Sequence, residues 1–217
     1  MYYGKQQRAL QVQFGTEKLA DRIEKLSSHD EFNDDAKGFI ELSEMFFLTT
    51  INDKGQPTVS YKGGDMGFVK VHDSNTLIFP SYDGNVMFLS VGNIVGNTNI
   101  GMLFISFVAP HRIHVQGIAS ISKDATLLAH YKEADFVATL KLSELWQNCP
   151  RYIPKMVKVR DSRYVPRVDC DTPLAEWKRI DLLQDVLLPA DLTKAQAKGT
   201  IDIMEWISKT QAGAPDA

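Results

Sequence analysis

Cysteine is scarce in this chain. Cys149 and Cys170 are the two among 217 residues, with no CxxC pair and no Cys/His cluster at zinc-like spacing. A disulfide scaffold and a zinc module are therefore excluded, and two reduced thiols in a cytoplasmic protein are expected. Long hydrophobic runs are lacking as well. The most apolar stretch, residues 100–109, is far too short to span a bilayer. Polar residues follow Met1-Tyr2-Tyr3-Gly4-Lys5, so no secretory leader is expected. Charge of one sign is not in excess: the net charge is -3 and the pI about 6.0, which argues against a general nucleic-acid binder but leaves room for a local basic patch. No nucleophile elbow, HExxH helix, Walker loop or GxGxxG turn is present. His111 and His114 flank Arg112, but three metal ligands on one face cannot be assembled from them, so no metal site is expected.

What is present reads as an ordinary globular chain, 44% hydrophobic and 24% charged. Its first part is helical in pattern. Thr16 precedes a segment with Leu19, Ile23 and Leu26 on one face, and Asn33 or Asp34 can cap a second short helix through Phe39, Ile40 and Leu42. The texture changes at Met45. Residues 46–51 and 58–62 read as strands around the turn Asn52-Asp53-Lys54-Gly55. Residues 68–72 and 76–79 form another pair. Residues 80–85 read as a loop, and 86–91 as a short helix ended by Gly92. Long strands follow at 101–108 and 112–122, then a helix at 123–134 and a last strand at 136–142. About six antiparallel strands joined by tight turns favour a mainly β fold, and closure into a barrel would remove the sheet edges. The whole is read as one domain, 1–217. A helical segment 1–44 precedes a barrel core at about 45–160, and an extension 161–217 wraps the surface and ends in a helix at 193–209.

Three segments carry chemistry-bearing residues. Ser60-Tyr61-Lys62-Gly63-Gly64 offers a cation, a hydroxyl and close-approach backbone to a phosphate; it fits equally a surface lysine beside a glycine turn. Pro80-Ser81-Tyr82-Asp83-Gly84-Asn85 precedes the short helix, so Asn85 is either an anion site at a helix start or only its cap. Glu144 to Tyr152 joins two aromatics, a thiol and Arg151; with no histidine near it in sequence, Cys149 reads as a buried structural thiol.

These segments occur in an order that resembles the pyridoxamine-5′-phosphate oxidase-like FMN-binding family. The resemblance runs from Phe46 to about Tyr152 and looks closest to a bacterial subgroup. It rests on Ser60-Tyr61-Lys62-Gly63-Gly64, Asp83-Gly84-Asn85, Ser90-Val91-Gly92-Asn93 and Asn148-Cys149-Pro150-Arg151-Tyr152, with Phe14-Gly15-Thr16 and Leu19-Ala20-Asp21-Arg22 upstream. It implies a six-stranded antiparallel split β-barrel that forms a homodimer, with FMN in clefts at the subunit interface. Ser60, Tyr61, Lys62 and Gly63 would line one side of the cofactor, and Phe79, Pro80 and Ser81 with Asn85, Val86 and Met87 the other. Arg112 would reach it from the partner subunit, and Arg151 would lie near the cleft. Relatives often carry a base where this chain has Val86, which leaves Lys62, Arg112 and Arg151 to supply the charge. The arginine-rich C-terminal signature of the true oxidase has no equivalent after Trp177 or around Trp206, so pyridoxamine phosphate is not the expected substrate. A flavin-dependent oxidoreductase of unknown substrate is the leading expectation. A carrier or sensor without turnover is the alternative, as is a cleft that takes haem or a deazaflavin.

Overall fold

The structure is a computed structural model that describes residues 3–214; Met1 and Tyr2, part of the stretch read for a leader, lie outside the described residues. The chain clusters into two compact units, Met1–Val159 and Arg160–Ala217.

The first unit opens with α1 (Lys5–Phe14) and α2 (Glu17–Ser27), joined where Gly15 takes a left-handed φ of 65°. Arg8 ties the pair together through Asp21 at 2.6 Å and Glu24 at 3.4 Å. Thr16 sits at the start of α2, but its side chain makes no capping bond. Asn33 does cap α3 (Asp34–Leu42), accepting from the Ala36 N–H at 2.9 Å, and Asp34 and Asp35 fall in the first turn, where the helix dipole favours them. Asn33→Ala is expected to cost about 1 kcal/mol. Thermal denaturation of the variant checks this, and an unchanged midpoint would mean that the cap bond contributes nothing.

Among the described residues, eight antiparallel strands form one sheet in the order β3-β2-β6-β7-β8-β5-β4, with β1 (Ser28–His29) paired to β8. The fold is thus mainly β with flanking helices, as expected, with eight strands rather than about six. A two-residue β1 is too short to show a pattern in sequence. β2 (Met45–Ile51) alternates cleanly: Phe46, Leu48 and Thr50 are buried and their neighbours are not. The turn to β3 (Pro57–Gly63) is set by Asn52, whose side-chain oxygen accepts from the Lys54 and Gln56 N–H groups, and by Gly55 at φ 74°. β4 (Lys70–Asp73) and β5 (Thr76–Tyr82) follow.

β5 runs through Pro80 to Tyr82, where the sequence suggested a loop. Beyond the Lys70–Ile78 pair it has β8 as a neighbour on one side only, and there a proline is tolerated. β6 (Asn99–Ser106), β7 (His111–Ser122) and β8 (Ala134–Gln147) complete the sheet. The expected helix at 123–134 shrinks to α5 (Ala125–Leu128), and β8 is twice the length foreseen. Gly117 lies at a β-bulge against β8; a Cβ there would stand 2.2 Å from the Lys141 carbonyl, which leaves no room for any other residue.

The sheet is rolled. Phe46 on β2 packs against Phe79 on β5 at 5.2 Å, although three strands separate them in the sheet order. The same ring meets Phe104 on β6 at 5.2 Å, and this interior holds Leu48, Leu77, Met102, Val115 and Leu140. Full burial of each large side chain contributes roughly 1.5–3 kcal/mol.

The second unit holds two 3₁₀ turns (Glu176–Arg179 and Asp181–Leu183) and the helices α6 (Pro189–Lys198) and α7 (Ile203–Gln211). One helix was expected over 193–209. Gly199 at φ 82° divides it, and Ile201 bridges to Ile180 instead. Lys178, almost fully buried, pairs with Asp191 at 2.9 Å, and Glu176 pairs with Arg179 at 2.5 Å. Among the described residues no helix is long and apolar enough to cross a membrane.

Candidate functional site

The inward face of β3 is polar. Thr58, Ser60 and Lys62 pair across β2 with Thr50, Leu48 and Phe46, all of which are buried, so these three side chains share the interior face of the sheet. They meet α4 (Leu89–Gly96). Ser60 Oγ lies 3.1 Å from Ser90 Oγ, and Lys62 Nζ donates to Ser90 Oγ at 3.2 Å. Burial holds the Lys62 ammonium below its ordinary pKa. One ammonium and two hydroxyls therefore converge where α4 begins.

The start of α4 is itself a donor. Its N-cap is Phe88, which has no polar side chain to offer, and the first intrahelical bond runs from the Gly92 N–H to the Phe88 carbonyl. The first-turn N–H groups ahead of it thus lack a capping side chain. Such an end attracts an anion, and here a lysine and two serines stand beside it.

The sequence misplaced this helix. Val86 and Phe88 adopt left-handed φ values of 54° and 49°, so the chain is not helical at 86–88, and Gly92 sits inside the helix rather than ending it. Asn85 is therefore neither a helix cap nor a helix-start anion site. Its side-chain oxygen accepts from the Met87 N–H at 3.2 Å, a local turn within an exposed loop. Ser90 was missed as a site residue. The signal was available in the Ser90-Val91-Gly92-Asn93 segment, where Ser90 and Asn93 are three apart and so share a helix face.

The remaining expected residues fall elsewhere. Tyr61 points from the opposite face of β3, 62% exposed, with its ring edge-on to Phe47 at 6.2 Å. Gly63 ends β3 opposite Met45. Phe79 and Pro80 are buried, Phe79 against Phe46, while Ser81 is half-buried. Val86 and Met87 are exposed in the 83–88 loop.

Arg112 pairs with Ile105 and sits next to inward-facing Ile113, so it lies on the outward face of the sheet. Its Nε is buried without a hydrogen-bond partner, as is Nε2 of His114 two residues on. His114 stacks on Trp146 at 5.0 Å, and burial first, then the Arg112 charge, holds its imidazole below the ordinary pKa. Arg112 and Arg151 also act together on Cys149. The Arg151 N–H approaches its Sγ at 3.5 Å, and that bond, the Arg151 side chain and the two guanidinium charges lower the thiol pKa. Cys149 is exposed, contrary to the buried thiol expected, because β8 ends at Gln147 and the chain turns away before Pro150.

A cavity of about 460 Å³ opens between the β2–β3 turn and the later half of α4, beside Asn52, Asp53, Gly92 and Asn93; Ser60, Lys62 and Ser90 do not line it. Among the described residues no group of three or more His, Cys, Asp or Glu side chains is placed to hold a metal ion.

No curated protein matches the chain. Among solved structures, HupZ of Group A Streptococcus, in a point-variant form, is 16% identical, with a TM-score of 0.45 over 54% of this chain and 98% of that one. An FMN-binding protein from Syntrophomonas wolfei is 10% identical, with a TM-score of 0.42 over 64% of this chain and 97% of that one. HutZ, the haem storage protein of Vibrio cholerae, is 13% identical, with a TM-score of 0.39 over 52% and 92%. The sequence profile described as pyridoxamine 5′-phosphate oxidase matches residues 32–151, more than half of the chain, and takes in the whole sheet except β1 together with α4 and the Lys62 cluster. On that match, the chain belongs to the pyridoxamine 5′-phosphate oxidase family.

Proposed function

We propose that this protein binds FMN as a homodimer and acts as a flavin-dependent oxidoreductase. The observation that carries the cofactor reading is the convergence of Lys62, Ser60 and Ser90 on the uncapped start of α4. One ammonium, two hydroxyls and first-turn N–H groups match the oxygens of a single phosphate monoester. FMN has one such group, whereas FAD would need a second cradle. Bound there, FMN would supply electron and hydride transfer, with the protein contributing orientation and electrostatics.

The dimer reading rests on geometry. Lys62 points to the inner face of the sheet and Arg112 to the outer one, so the two cations of a single chain diverge. A site that uses both takes Arg112 from a second copy. The outer face also has apolar surface for such a contact: Leu103 and Ile105 alternate outward from buried Met102 and Phe104, and Val59 and Tyr61 are 68% and 62% exposed.

The cofactor reading is tested by the absorption spectrum of the purified protein and the mass of its released ligand. A flavin spectrum with the mass of FMN is expected; FAD or haem as the native ligand would overturn it. Turnover is read separately, as reduction of the bound flavin by a nicotinamide nucleotide and reoxidation by an added acceptor. Absence of reduction by every donor tried would leave a carrier or sensor.

A further inference from the structure

We propose that Asn93 is a positioning residue for the anion site, holding α4 in the one seating that puts Ser90 beside Lys62. The inference rests on the phosphate reading of that cluster and extends it one layer outward.

α4 has little to fix it by itself. It is eight residues long, too short to be stable alone, and contains Gly92 and Gly96, both poor helix formers. It is entered through left-handed Val86 and Phe88, with no side chain capping its start. Its place must come from what it packs on. Ile94, 2% exposed, supplies an apolar anchor, but an aliphatic contact tolerates a small slide or roll.

Asn93 removes that freedom. Its Nδ2 donates to Thr50 Oγ1 at 2.9 Å and to Thr58 Oγ1 at 3.2 Å, so the one amide nitrogen bridges both hydroxyls. The two hydroxyls lie 2.9 Å from each other, on residues paired directly across β2 and β3. Thr50 is buried to 1% exposure while Thr58 and Asn93 are half-buried, so the lock reaches from the edge of the interior into it. Thr58, Ser60 and Lys62 are consecutive inward positions of β3, and on α4 they face Asn93 and Ser90, one turn apart. The seam thus divides into two parts. At one end hydroxyls and amide satisfy one another; at the other, the lysine and two serines stand at a helix end that has no cap.

The test replaces the acceptors without changing shape. The double variant Thr50→Val/Thr58→Val deletes both hydroxyls, whereas Thr50→Ser/Thr58→Ser keeps them. Two quantities are measured: FMN affinity, and the Lys62 pKa in ligand-free protein by NMR of labelled lysine. With the lock gone, α4 shifts and water reaches Lys62. The Val pair is expected to bind FMN about tenfold more weakly or worse, and its Lys62 pKa should rise toward the ordinary value, while the Ser pair keeps wild-type behaviour in both. Asn93→Ala, which opens the same lock from the helix side, should match the Val pair and serves if that pair does not fold. A wild-type Lys62 titration in a folded Val pair or Asn93→Ala protein overturns the proposal, as does loss of the lowered pKa in the Ser pair. The titration needs no ligand, so a wild-type protein that binds no FMN would sink the cofactor reading and still leave the lock tested.

Discussion

Lys62→Ala should weaken FMN binding by roughly ten- to a hundred-fold. A hydrogen bond to a charged group contributes on the order of 1.5–3 kcal/mol, and each 1.4 kcal/mol or so is a factor of ten. In the ligand-free chain the ammonium already donates to Ser90 Oγ and is held below its ordinary pKa by burial. The sign of that shift matters twice. Burial penalises the charged lysine, so its removal takes away a cost of folding, and the variant should remain folded. The lysine also gives up its proton at lower pH than an exposed one, so FMN affinity should start to fall earlier as pH rises. Lys62→Met keeps the apolar stem and drops the charge; it should lose the same affinity and show no such alkaline decline. Titration of apoprotein with FMN, followed by flavin fluorescence, measures all three proteins. Unchanged affinity in folded Lys62→Ala would return Lys62 to an ordinary lysine beside a glycine turn.

How far the sequence showed this site depends on the element. β2 and β3 were legible because residues 46–51 are rich in aromatic and β-branched side chains and the Asn52–Gly55 turn has its own chemistry. Lys62 and Ser60 were therefore placed on the correct strand, but Tyr61, which faces the other way, was grouped with them. α4 was not legible in its bounds. Residues 86–91 are apolar enough to look helical, and the left-handed φ of Val86 and Phe88 is a tertiary outcome that no propensity would foresee for a β-branched and an aromatic residue. The shift from residue 86 to 89 moved the cap from Asn85 to Phe88, put Ser90 in the first turn and hid the partner of Lys62.

Arg112 presents the opposite case. Alternation along β7 fixes its face: Ile113 and Val115 are buried, so Arg112 and His114 point the other way. The Arg112 Nε is buried there with no hydrogen-bond partner, so it retains an unused donor on the outward face.

Mixing two defective proteins should therefore restore a site. Arg112→Ala alone is expected to weaken FMN binding, since a guanidinium on a bound anion or ring edge contributes about as much as Lys62 does. In a homodimer whose sites each combine Lys62 of one chain with Arg112 of the other, a heterodimer of Lys62→Ala and Arg112→Ala chains is asymmetric. One site receives both lesions, and the other receives neither. Co-expression with two affinity tags and tandem purification isolates the heterodimer. It should bind FMN at about half the wild-type stoichiometry and with wild-type affinity, while each parent homodimer binds poorly at both sites. Lys62 and Arg112 face opposite sides of one sheet, which favours a site that draws them from different chains. A heterodimer with two equally weakened sites would place both residues of each site in the same subunit, and wild-type FMN affinity in the Arg112→Ala homodimer would take Arg112 out of the site. A protein that light scattering shows to be a monomer at micromolar concentration, still loaded with FMN, would remove the shared site altogether.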